Sequence, residues 1–281
     1  MDAVRVVTDG TASLPEGLPE QVGLVVVPLH VLHAAHPGSA PVELRPDALA
    51  GALRQPDGDV RTSRPSPAEF AAAYRACGGA DVVSVHVSAR LSGTVDAAAL
   101  AAREVAADGV RVRVVDARTL AMGLGFAALA AARTAGEGRC AQHVEQVARE
   151  AAAATTLFFY VDTLEHLRRG GRIGAAAALL GTALAVKPLL HVVDGAIAPL
   201  ERVRTSSRAL ARLEELAVQA AGDGPVDLAV HHLDAPERAG ALADRLRARL
   251  PALGELHLSE VGPVVGAHAG PGLLGVVVRR R

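Results

Sequence analysis

The 281-residue sequence predicts an α/β fold organised as two α/β domains, on three observations. Short apolar, β-branched runs alternate with Ala-rich amphipathic segments, the pattern of strands and helices taken in turn. Some of these runs, such as Val82-Val83-Ser84-Val85-His86-Val87, are apolar almost throughout. Strands covered on both faces read this way, which points to parallel pairing in at least the first half. The apolar mass is aliphatic: half of the residues are hydrophobic, 2% are aromatic and none is tryptophan.

Taken in order, strands are expected at 4–7, 24–27, 82–87, 112–115, 157–161, 189–193, 228–230, 256–261 and 274–278. Helices are expected at 67–77, 94–107, 119–134, 141–154, 206–221 and 236–250. The start of the first of these helices carries its signal in sequence: Ser66-Pro67-Ala68-Glu69 has serine at the N-cap, proline at the first helical position and an acid in the first turn. No period of about 20–50 residues recurs. A boundary after the Ala-rich helix gives domains of 1–157 and 158–281.

Composition removes several functional classes. A formal net charge of -1 offers no field for nucleic acid or an anionic membrane. With so few aromatic rings, stacking platforms for bases are not expected. Cys77 and Cys140 lack metal-ligand spacing and read as reduced thiols. Met1-Asp2-Ala3-Val4-Arg5 enters a strand at once, and the longest apolar stretches are broken well short of the roughly 20 residues of a span. The expectation is a cytoplasmic protein without stable membrane insertion or nucleic-acid partner. Of the 29 basic residues only Lys187 is a lysine, and with so much Ala and Gly this reflects coding bias before chemistry.

No recognised nucleophile-and-base arrangement is visible. Lys187 precedes Pro188, so no phosphate loop is present. Gly123-Leu124-Gly125 is a fragment of a dinucleotide fingerprint, and neither a G-x-S-x-G elbow, H-E-x-x-H nor C-x-x-C occurs. His231 and His232 are adjacent, so on a strand they face opposite ways. No catalytic residue, metal or cofactor is expected. Three loops at strand ends remain, rich in hydroxyls and glycine: Thr8-Asp9-Gly10-Thr11, the stretch from Arg61 to Pro67, and Ser88-Ala89-Arg90-Leu91-Ser92-Gly93-Thr94. Open α/β sheets bind ligands at the carboxyl ends of their strands, and the first N–H groups of the helix after Ser92 suit an anion. The plainer alternative is that Ser63 and Ser92 cap helices.

These loops resemble those of the DegV family, whose members include the fatty-acid-binding subunits of bacterial fatty acid kinase. The similarity runs nearly end to end. Residues 6–15, from Val6-Val7-Thr8-Asp9 to Leu14-Pro15, resemble the family's opening strand and turn. Thr62-Ser63-Arg64-Pro65-Ser66-Pro67 resembles its T-S-x-P-S-P loop, and Leu91-Ser92-Gly93-Thr94 its L-S-G-T turn. Further blocks are Val115-Asp116 with Met122-Gly123-Leu124-Gly125, then Tyr160-Val161-Asp162-Thr163-Leu164-Glu165 and Arg169-Gly170-Gly171-Arg172-Ile173-Gly174. Val186-Lys187-Pro188, Val203-Arg204-Thr205 and the closing loop from Gly262-Pro263 through His268 to Gly272 complete the set. Two departures stand out: Gly10 replaces the usual serine, and 33–42 lacks the usual glycine and aromatic pattern.

The resemblance implies a carrier that buries the acyl chain of a long-chain fatty acid between or beneath the two domains. It implies that the carboxylate is held by Thr62, Ser63, Ser92, Gly93, Thr94 and His268, and is presented to a separate ATP-dependent kinase for acyl-phosphate formation. Such a carrier is not itself an enzyme and needs no cofactor. Arg169, Arg172 and Arg204 are then candidates for the docking face or for the phosphate formed there, with Arg172 exposed by its Gly-flanked turn. The competing expectation is a histidine-based kinase subunit related to dihydroxyacetone kinase.

Overall fold

The computed structural model describes residues 4–34, 42–44, 48–55, 59–179 and 187–281. In chain order its strands are β1 (Val4–Asp9), β2 (Leu24–Val27), β3 (His30–Ala34), β4 (Val42–Glu43), β5 (Asp59–Ser63), β6 (Asp81–His86), β7 (Val112–Asp116), β8 (Thr155–Tyr160), β9 (Lys187–Val193), β10 (Ala196–Val203), β11 (Val226–His232), β12 (Leu253–Glu260) and β13 (Leu274–Arg280). The α-helices are α1 (Leu18–Gln21), α2 (Leu49–Leu53), α3 (Pro67–Ala76), α4 (Thr94–Val105), α5 (Met122–Gly136), α6 (Ala141–Ala153), α7 (Glu165–Arg169), α8 (Ser206–Ala221), α9 (Pro236–Arg249) and α10 (Pro263–Ala269). Among the described residues no helix is long and apolar enough to cross a membrane.

The chain divides into two compact units, Met1–His30 with Ser63–Ala154, and Val31–Thr62 with Thr155–Arg281. The division expected at 157/158 contains no such excursion. Its segment is hard to read because its elements are short; β4 has two residues, both exposed. Part of the divergent stretch 33–42, namely 35–41, lies outside the described residues, as does Val186.

In the first unit β2, β1, β6 and β7 form a sheet in that order, every pair parallel. One face packs Val6, Val83, Val85 and Val115 against Leu124 and Ala128 of α5 and Val144 and Ala148 of α6. The other packs Val7 and Val82 with Phe70 and Tyr74 of α3 and Ala97 and Ala101 of α4. Burial on both faces explains why β6 reads as continuously apolar. Helix α5 starts at Met122 instead of the expected 119, because Arg118 and Ala121 take φ of 53° and 50°, outside the helical region.

The second unit holds a six-stranded sheet, β10-β9-β8-β13-β11-β12, antiparallel except for β11 with β12. Helices α8 and α9 cover one face, over Tyr160, Leu189, Val230, Leu274 and Val276. Sequence patterning misses β10, which carries Pro199 and shifts register between Pro199 and Glu201. As an edge strand it tolerates a residue that cannot donate a ladder hydrogen bond. A smaller sheet joins β4, β3 and β5, so Thr62 and Ser63, expected in a loop, end a strand.

Candidate functional site

Within the second unit, the end of β5 and the short helix α10 meet. Helix α10 opens with Gly262-Pro263, so proline occupies a position where its missing N–H costs no hydrogen bond. The side chains of Leu49 and Leu233 press on Gly266 so closely that a Cβ there would stand 2.7 Å from Leu49. This seating brings His268 Nε2 to 2.8 Å from Thr62 Oγ1, a bond between residues 206 positions apart in the chain. On the opposite edge of the ring, Gly170 lies against Nδ1, where a larger residue would displace the imidazole. Burial, then the nearby positive charge of Arg172, pushes the His268 pKa down to about 4. The ring is therefore neutral near pH 7, with one N–H and one lone pair to offer.

Arg172 departs from the expectation of an exposed side chain. It is partly buried, and its Nη1 donates to the Gly170 carbonyl at 2.6 Å. The turn folds the guanidinium back along its own backbone, which sets a permanent cation in the electrostatic surroundings of His268. Arg169 does point to solvent and pairs with Glu165 at 2.9 Å, while Arg204 is exposed. Lys187 forms a local ion pair. Its Nζ donates to the Asp162 carboxylate at 3.0 Å and to the Asp162 carbonyl at 3.2 Å. The closing loop fits over this region through Gly270 and Gly272, with φ of +82° and +84°, whose backbones lie on the side chains of His166 and Asp162. Any other residue at either position would be strained and would collide.

Within the first unit, the chain leaving β6 turns through Ser88–Thr94 into α4. The Ser88 N–H donates to the Thr119 carbonyl at 3.0 Å, and the Ser92 N–H to the Ser88 carbonyl at 3.1 Å. Ser92 Oγ and Thr94 Oγ1 stand 2.8 Å apart. Gly93 is the N-cap residue and no side chain caps this helix, so Ser92 is not a cap. Neither is Ser63, whose hydroxyl donates to the Arg64 carbonyl at 3.1 Å. The cap of α3 is Ser66, in a reciprocal capping box with Glu69, as its sequence signature predicts. Ser63, Ser92, Gly93 and Thr94 thus belong to the first unit, and Thr62 and His268 to the second.

Sequence reading missed one constellation in the first unit. Tyr74 Oη lies 2.9 Å from Ser84 Oγ, which lies 2.6 Å from His86 Nε2, while His86 Nδ1 is 3.0 Å from Asp9 Oδ2. Asp9 also accepts from the N–H groups of Thr11 and Val87, each at 3.0 Å. Burial opposes its ionisation, but hydrogen bonds from His86, Thr11 and Val87 outweigh that and hold its pKa below the ordinary value. Serine, histidine and aspartate are all fully buried, so this serine is closed to any substrate. The signal was available: Ser84 and His86 sit two apart on a strand and must share a face. Among the described residues, no group of three or more His, Cys, Asp or Glu side chains could hold a metal ion.

The model of the family described as uncharacterised protein, DegV family, matches residues 3–281. The chain belongs to the DegV family. A DegV domain-containing protein of Streptomyces coelicolor is 57% identical, covering 99% of each chain. Among solved structures, a fatty-acid-binding DegV family protein from Thermus thermophilus is 33% identical with a TM-score of 0.89, covering 99% of this chain and 100% of its own. DegV of Bacillus subtilis, described as a fatty acid binding protein, is 32% identical with a TM-score of 0.89 over the whole of both chains. In DegV terms, the T-S-x-P block ends β5 and begins α3, the L-S-G-T turn opens α4, and the closing-loop histidine lies in α10.

Proposed function

We propose that this DegV protein is a cytoplasmic carrier of one long-chain fatty acid, which it presents to a separate ATP-dependent kinase for conversion to the acyl phosphate. The observation that carries the reading is the Thr62–His268 pair. A carboxylate leaving water needs donors, and an unpaired one is costly. A neutral imidazole that donates through Nε2 to the Thr62 oxygen orients the threonine O–H outward, toward a ligand oxygen. Two solved relatives above 30% identity, described as fatty-acid-binding, support the same ligand class. Ser63, Ser92, Gly93 and Thr94 are proposed as further ligand contacts.

Burial of an acyl chain supplies the affinity. At about 0.8 kcal/mol per methylene, a chain of roughly 14 contributes on the order of 11 kcal/mol before opposing costs. A ligand held so firmly leaves slowly, which favours modification of the head group in place. Arg172, beside His268, is placed in this reading to face the phosphate formed there, and Arg169 and Arg204 to meet the kinase. By itself the carrier catalyses no reaction.

Protein purified without added lipid, extracted with solvent and analysed by mass spectrometry, is expected to yield about one fatty acid per chain. Empty protein that also binds no C14–C20 acid in titration would overturn the reading.

A further inference from the structure

Arg64 occupies the variable position of the T-S-x-P loop, and its side chain lies along the backbone of Gly93. Its Nη1, Cζ and Cδ are the three atoms that a Cβ on Gly93 would meet, with Cζ at 2.9 Å and Cδ at 3.2 Å. The guanidinium is therefore laid over the turn whose two hydroxyls, Ser92 Oγ and Thr94 Oγ1, are 2.8 Å apart. Arg64 is exposed, and among the described residues its side chain has no hydrogen bond or ion pair; only its backbone carbonyl is engaged, by the Ser63 hydroxyl. Other arginines among the described residues are engaged by carboxylates, as Arg75, Arg212 and Arg281 are.

We infer that Arg64 is a specificity-determining residue of the head-group site, the counter-charge that favours a fatty acid over its uncharged derivatives. The inference rests on the carrier reading above and adds to it a residue outside the hydroxyl and histidine set. A guanidinium cannot lose its proton near neutral pH, so it attracts a carboxylate at any working pH. Because it is solvent-exposed, its attraction is long-ranged and screened by salt, with a Debye length of about 10 Å at 0.1 M. Its principal effect falls on capture of the anion, since exposed charges steer association more than they hold the bound state. Glycine at 93 is what lets the side chain lie flat on the turn.

The test compares palmitate and its methyl ester on wild type, Arg64→Gln, Arg64→Lys and Arg64→Glu, at low and at 0.5 M salt. At low salt, Arg64→Gln is expected to weaken acid binding roughly three- to tenfold and Arg64→Glu further, with Arg64→Lys recovering most of the loss. The ester should bind all four alike, and at 0.5 M salt the differences on the acid should shrink below about twofold. Equal losses for acid and ester would assign Arg64 to packing and overturn the inference. So would wild-type affinity in Arg64→Gln at low salt, with the carrier reading left standing. Wild type that binds neither compound would overturn both.

Discussion

His86 in the first unit and His268 in the second each set Nε2 on a hydroxyl, Ser84 at 2.6 Å and Thr62 at 2.8 Å. What lies behind each ring differs. His86 has a buried carboxylate on its other nitrogen and a tyrosine beyond the serine, and the whole series is sealed. His268 has glycine backbone behind it and a guanidinium near it, and it is only partly buried. The first arrangement is complete: each member has its partner, so it fixes the ends of β1 and β6 relative to α3. The second sets its ring on a threonine hydroxyl at the end of a strand and is not sealed, so it is open to a ligand where the first is closed. A histidine–hydroxyl contact therefore has no fixed meaning; the charge on the far side and access to solvent decide it.

The comparison breaks most readily at Asp9. Asp9→Ala leaves His86 and two N–H groups without their acceptor in the core, and should lower unfolding free energy by about 3–5 kcal/mol in denaturant titration. A loss below about 1 kcal/mol would mean that the sealed series is dispensable to the fold. The histidines give the next largest effect. His231, buried and bonded to Ser259 at 3.2 Å, has its pKa pushed by burial from 6.5 to about 4, close to that of His268. Both folded values lie below the unfolded one, so the unfolded chain binds more protons between them. Their contribution is whole above pH 6.5 and is lost as pH falls toward 4, by up to about 1.4 kcal/mol per pH unit for each ring. Stability measured from pH 7 to 5 should fall accordingly, and His231→Asn should flatten the slope. An unchanged slope would show that this ring is not titrating as its burial requires.

Binding should respond where stability does not. Thr62→Ala should weaken fatty-acid affinity by about 1–3 kcal/mol, read by titration, with a smaller change in unfolding free energy. The reverse pattern would make Thr62–His268 a second structural contact and erase the contrast with His86. Smallest of all is Gly10→Ser. A Cβ at Gly10 finds its nearest atom, the Leu29 nitrogen, at 3.6 Å, and the backbone there is not left-handed. Stability should stay within about 0.5 kcal/mol of the parent, and a larger loss would show that the first turn has adapted to glycine.

Much of the fold was legible because strands and helices of this protein carry strong periods. The parallel first sheet follows from doubly buried runs such as β6, and the helix start at Ser66 follows from its capping residues. Elements that rely on tertiary partners were not legible: β4 is too short for a pattern, β10 is interrupted by Pro199, and α5 begins where φ at Ala121 permits. Of the candidate site, the residue types were readable and one meeting, Thr62 with His268, is realised at hydrogen-bonding distance. The inward fold of Arg172 was not readable, since flanking glycines permit either direction. Nor was the Asp9–His86 contact, which joins different strands 77 positions apart.

The excursion of Val31–Thr62 into the second unit also bears on the order in which the protein is made. Thr62 leaves the ribosome 206 residues before His268. At synthesis rates of about 5–20 residues per second, that strand end waits roughly 10–40 s for the histidine it will bind. The first unit has its own sheet sequences in hand by Ala154, far earlier. The strands of the parallel sheet are thus all made while the threonine still lacks its partner, and the histidine–hydroxyl pair becomes possible only once residue 268 has been made.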